Sequence, residues 1–296
     1  MSLINPIWML TAYASLLASS MPDSDASDPY LWLESIDSGK SLEWVRAQND
    51  STMAALASGS PFQELYERNL RVYNSVDRIA YPNVHGKFVY NFWMDARNER
   101  GLWRRTTVQE YRKANPVWEV VLDIDSLSKA DNENWVFAGA DFLRPECDRC
   151  MLSLSRGGAD ASVIREFDLR TKRFVEGGFA LPESKGGTSW KDENTLLVSS
   201  GQAKDEVTTS GYPRVTKIWK RGTPFQSAAP LFAADTNDLG AWSYSIYSPE
   251  RQYVLVAQVL TIFKSTAFAL EDGRLIRLDI PNDANLVTIL HGQVIL

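Results

Sequence analysis

Hydrolysis by a nucleophile needs the nucleophile, a base to take its proton, a carboxylate to orient the base and donors for the oxyanion. The 296-residue chain has two imidazoles, His85 and His291. His85 sits in the turn Pro82 to Gly86 and His291 in the turn Leu290 to Gly292, so both read as rim residues of a β structure. A Gly-x-Ser-x-Gly elbow, which would lift a serine onto a strand-to-helix turn, is absent from 1–296. No residue of this chain is therefore expected to be catalytic. The two thiols, Cys147 and Cys150, stand in the order Cys-Asp-Arg-Cys. Such a pair can be half of a zinc site, a redox couple or a local disulfide. A structural zinc site wants four ligands, both histidines are distant in sequence, and no βαβ pattern surrounds the pair. The expected reading is two thiols in or beside a strand, with an opportunistic disulfide as the alternative in an oxidising compartment. Asp123-x-Asp125 lacks the twelve-residue loop and closing Glu of a calcium hand and reads as a surface turn. Ser155 to Asp160, with Gly157 and Gly158, lacks the Gly-Lys-Ser/Thr ending of a phosphate loop and reads as a hairpin. No metal and no cofactor are expected.

The elements around these residues are mostly strands. The stretch 208–225, TTSGYPRVTKIWKRGTPF, opens on a Gly-Tyr-Pro turn, continues as a strand from about Arg214 to Lys220 and closes on the turn Arg221 to Pro224. Similar strand ends followed by turns recur as WRRTT (103–107), FDLRT (167–171) and LDIPN (278–282), about sixty residues apart, a blade-like repeat. Further strands are expected at 86–94, 118–122, 149–155, 194–200 and 252–259, and 181–190 reads as a loop. The spacing predicts a mainly β fold: a partial β-propeller of about four blades over 76–296, its last strand running to the chain's end. Before it, 40–57 and 61–73 carry apolar residues at helical spacing, a short helical segment within 21–75. Residues 7–18, IWMLTAYASLLA, are an apolar run of signal-peptide length, with Ala18 and Ser20 suited to cleavage after Ser20; the usual positive charge before it is missing. A periplasmic or secreted location is expected if that signal operates, a cytoplasmic one otherwise. The run is too short for stable membrane insertion. A formal net charge of -6 argues against a nucleic-acid partner.

The same stretches carry a resemblance. DPYLWLE (28–34), KFVYNFWMDARNERGLWRRT (87–106), WEVVLDIDSL (118–127), CMLSLSRGGADASVIREFDLRTKRFV (150–175), GGFALPESKGGTSWKDENTLLV (177–198) and SGYPRVTKIWKRGTP (210–224) resemble, in order, the amino-terminal part of bacterial members of the prolyl oligopeptidase family of serine peptidases. The resemblance implies a seven-bladed-type propeller, truncated here, because seven blades of about sixty residues exceed 400 residues. It implies that Ser, Asp and His come from a carboxy-terminal α/β-hydrolase domain, the expected partner, on which the helical segment packs. The propeller would then gate access of short peptides to an endopeptidase that cleaves after proline. The loop Thr208 to Arg214 resembles one that faces the substrate cavity, which makes Arg214 and Tyr212 the candidate substrate contacts, Arg214 through a peptide carboxylate. The alternative is a non-catalytic propeller-type binding module or a decayed gene fragment.

Overall fold

The computed structural model describes residues 28–296. The apolar run 7–18 and its expected cleavage site lie outside them. The chain divides into two compact units that part between Val72 and Tyr73. The first holds helices α1 (Gly39–Leu56) and α2 (Ser60–Tyr73). Ser38 starts α1 by accepting the Ser41 amide at 3.1 Å, satisfying one of the free donors of the first turn. In α2, Phe62, Tyr66 and Leu70 recur at four-residue steps, and all three are exposed, as are Leu42, Val45 and Met53 of α1. These residues form an exposed apolar stripe on each helix. No helix among the described residues is long and apolar enough to cross a membrane.

The second unit is a run of antiparallel sheets, each formed from consecutive strands in sequence order. The first holds β1 (Asn83–His85), β2 (Phe88–Trp93), β3 (Leu102–Thr107) and β4 (Glu119–Asp123), with the short helix α3 (Val108–Tyr111) between the last two and α4 (Ile124–Asp131) leading out. The second sheet holds β5 (Trp135–Phe142), β6 (Arg149–Arg156), β7 (Ser162–Asp168) and β8 (Arg173–Phe174), with β9 (Ala180–Ser184) also paired to β7. The third is β10 (Gly186–Asp192), β11 (Thr195–Ser200), β12 (Val215–Lys220) and β13 (Ala229–Ala233). The fourth is β14 (Gly240–Tyr247), β15 (Gln252–Thr261), β16 (Lys264–Glu271) and β17 (Arg274–Arg277), followed by the hairpin β18 (Thr288–Leu290) and β19 (Gln293–Ile295). These are four propeller blades followed by a two-stranded hairpin, the mainly β fold that the spacing predicts.

Four expectations need correction. The segment 181–190 is not a loop but β9 and the start of β10. Its Gly186 and Gly187 suggest a turn, yet Gly186, at φ +131°, lies in a strand so close to β11 that a Cβ would collide with the Ser199 carbonyl oxygen. Asn83 to His85 form β1 rather than a turn. The Asp123 region starts the helix α4, with Asp123 as its cap accepting the Ser126 amide at 2.9 Å, while Asp125 accepts the Arg100 amide at 3.2 Å. Ile124 and Ser128, one helical turn apart, are buried, so an apolar anchor and a cap make a helix where the Asp-x-Asp spacing alone predicts a turn. Finally, WRRTT lies within β3 and runs directly into α3, FDLRT and WKRGT end the third strands of their blades and enter the turns after them, whereas LDIPN follows β17, a fourth strand. The equivalent turn in the fourth blade is Asp272-Gly273, both residues at positive φ, as a two-residue hairpin requires. His291 owes its place to the same geometry, at φ 50° before Gly292 between β18 and β19.

The blades pack face to face. Tyr90, Trp103, Leu152 and Phe167 belong to a core cluster joining the first and second sheets, and Met151, Phe179, Trp190 and Trp219 to one joining the second and third. Between the third and fourth sheets hydroxyls take over. The Ser243 amide donates to Ser199 Oγ at 2.8 Å and the Ser245 amide to Ser189 Oγ at 3.2 Å. A cleft of about 820 Å³ opens there between Ile218, Pro230 and Leu231 on one side and Val254, Leu270 and Leu275 on the other.

Candidate functional site

The first strands of successive blades stand side by side, because Asp141 of β5 hydrogen-bonds Trp190 of β10, and Ser245 of β14 hydrogen-bonds Ser189 and Trp190. Alternation of strand direction then sorts the loops onto two ends. Residues 73–82 lead into β1 at the end where the first strands begin, and the connections from second to third strands fall at that end too. One of these, 201–214, carries Tyr212 and Arg214.

Tyr212 is tied to two other loops. Its hydroxyl donates to Asp160 Oδ2 at 2.7 Å, Lys185 Nζ lies 3.2 Å from the same oxygen, and the Lys185 ammonium sits 4.5 Å from the centre of the Tyr212 ring. The Tyr212 hydrogen bond first, then Lys185, holds the Asp160 carboxyl below its ordinary range, and Asp160 in turn pushes the Tyr212 hydroxyl up. Arg214 is spent on backbone carbonyls of its own loop and of the segment after β13. It donates to the Asp205 carbonyl at 3.0 and 2.7 Å and to the Ala234 carbonyl at 3.0 Å, so an incoming carboxylate would compete with three hydrogen bonds. The structure thus brings both residues to one end of the blades, with Tyr212 as part of a three-residue polar cluster and Arg214 as the clamp that shapes its loop.

At the opposite end, where the first strands finish, lies a second group that no motif announces. Its members are His85 at the end of β1, Asp141 and Phe142 at the end of β5, Arg144 just beyond, and Ser245 and Tyr247 at the end of β14, all lining one cavity of about 320 Å³. The His85 ring stacks on Phe142 with centroids 3.8 Å apart. Burial first, and Arg144 second, press its imidazole below the ordinary range, and its Nδ1 is buried without a hydrogen-bond partner. Cys147 and Cys150 are free and buried, one in the turn before β6 and one within it, and burial pushes both thiols up.

Asp141 is the pivot of this end. Its Oδ2 accepts the Trp190 amide and its carbonyl accepts the Trp190 indole N–H, both at 3.0 Å. Burial, only partly offset by the Trp190 amide and Arg144, raises the carboxyl to about 6. The folded value lies above the unfolded one, so ionisation disfavours the fold: the cost is fully present above pH 6 and fades as pH falls toward 4. A shift of about two units corresponds to about 2–3 kcal/mol. The Asp141→Asn chain, which keeps an acceptor for Trp190, is expected to gain up to that amount over the native chain at pH 8 and nothing at pH 4. Urea unfolding of both chains across this range measures it, and a difference independent of pH would contradict it.

Residues 15–274 match the family described as "Prolyl oligopeptidase, N-terminal beta-propeller domain". The chain is 39% identical over 278 residues to uncharacterized peptidase y4nA of Sinorhizobium fredii, covering 92% of this chain and 38% of that protein. It is 26% identical to a prolyl endopeptidase of Elizabethkingia miricola, over 91% of this chain and 36% of that one. Among solved structures, a post-proline cleaving enzyme from Rickettsia typhi superposes with a TM-score of 0.79 at 29% identity, over 86% of this chain and 39% of the other. The chain therefore spans well under half the length of these relatives. The blades, the order of their strands and this match together make the chain a member of the prolyl oligopeptidase family, corresponding to its N-terminal β-propeller part.

Proposed function

We propose that this chain is the gating propeller of a serine endopeptidase that cleaves peptides after proline, admitting short peptides to an α/β-hydrolase domain lying outside residues 1–296. The observation that carries the reading is the similarity of 92% of the chain to part of a peptidase more than twice its length. Two features support it. The exposed stripe Phe62, Tyr66 and Leu70 on α2 offers an apolar surface for such a domain. The Tyr212, Asp160 and Lys185 cluster lies at the end of the blades where the chain runs into β1, and Tyr212 and Arg214 are its proposed substrate-side residues, Arg214 by fixing the loop 201–214.

The test is reconstitution. Residues 1–296 are co-expressed with the remainder of the S. fredii relative, and hydrolysis is followed on a fluorogenic Gly-Pro peptide and on unfolded casein. The expected result is a stable complex that cleaves the peptide and spares casein, with association weakened at least tenfold by the double change Tyr66→Asp and Leu70→Asp. A folded hydrolase portion that ignores this chain, or a complex that digests casein as readily as the peptide, would overturn the proposal.

A further inference from the structure

We propose that the cavity at the finishing ends of the first strands binds a small zwitterion of amino-acid to dipeptide size, with Arg144 holding its carboxylate and Asp141 its ammonium. The two ends of the blades differ in which polar groups are left without partners. At the other end of the blades Tyr212, Asp160, Lys185 and Arg214 satisfy one another or the backbone. Here the Arg144 guanidinium makes no hydrogen bond or ion pair among the described residues, although it lines the cavity and lies 5.4 Å from the centre of the Tyr247 ring. Asp141 uses one carboxylate oxygen on the Trp190 amide and leaves Oδ1 without a partner among the described residues.

An unpaired guanidinium and an unpaired carboxylate oxygen around one cavity select a particular ligand. A simple anion would satisfy Arg144 and face Asp141; a simple cation would do the reverse. A zwitterion pairs both at once, and a guanidinium can take the carboxylate with two parallel hydrogen bonds. The rest of the wall suits the carbon skeleton between the two charges, since the rings of Phe142 and Tyr247 are apolar, and His85, stacked on Phe142, adds a flat imidazole. Tyr247 cannot supply a competing anion, because burial first and Asp141 second push its hydroxyl up to about 12. A volume of about 320 Å³ suits a ligand of amino-acid to dipeptide size. This site is separate from the gating reading and stands whether or not that reading does.

The experiment is titration calorimetry of the full chain with L-alanyl-L-alanine, its N-acetyl form, its C-terminal amide and L-alanine. Saturable binding of the free dipeptide is expected, with each blocked form at least tenfold weaker. Arg144→Gln should make the dipeptide and its amide bind alike, and Asp141→Asn should do the same for the dipeptide and its N-acetyl form. Arg144 is exposed and unpaired, and Asn at 141 keeps the acceptor for the Trp190 amide, so both variants keep the fold. L-Alanine as tight as the dipeptide would assign the site to free amino acids, still a zwitterion. Absence of saturable binding, blocked forms that bind like the free dipeptide, or an Arg144→Gln chain with unchanged preferences would overturn the proposal.

Discussion

A Glu166→Ala chain is expected to unfold with about 3–5 kcal/mol less free energy than the native chain, the cost of breaking a buried ion pair and leaving its cationic partners uncompensated. The Glu166 side chain is 0% exposed on β7. Its carboxylate receives two hydrogen bonds from Arg221, at 2.8 and 3.1 Å, one from the Phe179 amide at 3.0 Å, and lies 3.4 Å from Arg149. Arg221 belongs to the turn after β12, so this carboxylate ties the second blade to the third. The bidentate fork fixes their relative position more tightly than apolar contact alone would. Glu166→Gln keeps the shape and the Phe179 bond but removes the charge, and should lose nearly as much. The paired change Glu166→Leu with Arg221→Met should recover part of the loss, since the bidentate cation leaves with the carboxylate and only the part-exposed Arg149 is left without its partner. Urea unfolding followed by tryptophan fluorescence reads all three. A loss below about 1 kcal/mol in Glu166→Ala would show that the pair is in effect solvated.

Those same residues show how far the sequence speaks for itself. Glu166 directly precedes FDLRT, and Arg221 lies inside WKRGT, two of the repeats that mark the blades. Arg105 of WRRTT donates to the Leu169 carbonyl of FDLRT at 2.9 Å. The repeats were legible because each blade must bury a third strand and turn at its end, and that need leaves apolar residues followed by turn formers. What the repeats do to each other was not legible, because a charge that reaches a neighbouring blade looks in sequence like any solvated charge at a turn. The helices α1 and α2 were legible from periodicity, whereas α4, eight residues long, was hidden by its acidic cap. Of the two ends of the blades, the one with Tyr212 and Arg214 was reached through resemblance to the family. The one with Asp141, Arg144 and Tyr247 was not reached at all. Its residues come from strands about a hundred positions apart, each plain in its local context, and only the packing of β5, β10 and β14 assembles them.

The Trp190→Ala chain carries the other large expected effect, a loss of about 3–5 kcal/mol, and it should spread further than the Glu166 loss. Trp190 is 0% exposed, and its ring meets Phe179 edge to face at 5.9 Å, so truncation opens a cavity in the core shared by the second and third blades. The indole N–H is what holds Asp141, and the main chain of Trp190 is held in return by the Asp141 carboxylate. The carbonyl of the same residue accepts Ser245 Oγ at 2.7 Å, and Tyr247 OH and Gln252 Nε2 at 3.0 Å, three donors from the fourth blade. These three bonds join the hydroxyl contacts of Ser199 and Ser189, the Ala241 amide on the Pro213 carbonyl and the Phe232–Phe268 contact in fastening the fourth blade across a seam that the open cleft leaves thin. Shifting the Trp190 backbone should loosen them. Amide exchange should therefore accelerate in β14 and β15 of Trp190→Ala, while Glu166→Ala, which acts only between the second and third blades, should leave those strands protected until global unfolding. Trp190→Phe keeps most of the ring and gives up the indole donor, and should lose only about 1–2 kcal/mol. If β14 exchanges at the native rate in Trp190→Ala, the carbonyl is not a fastening point, and the fourth blade is held by its own core around Leu255 and Ile289.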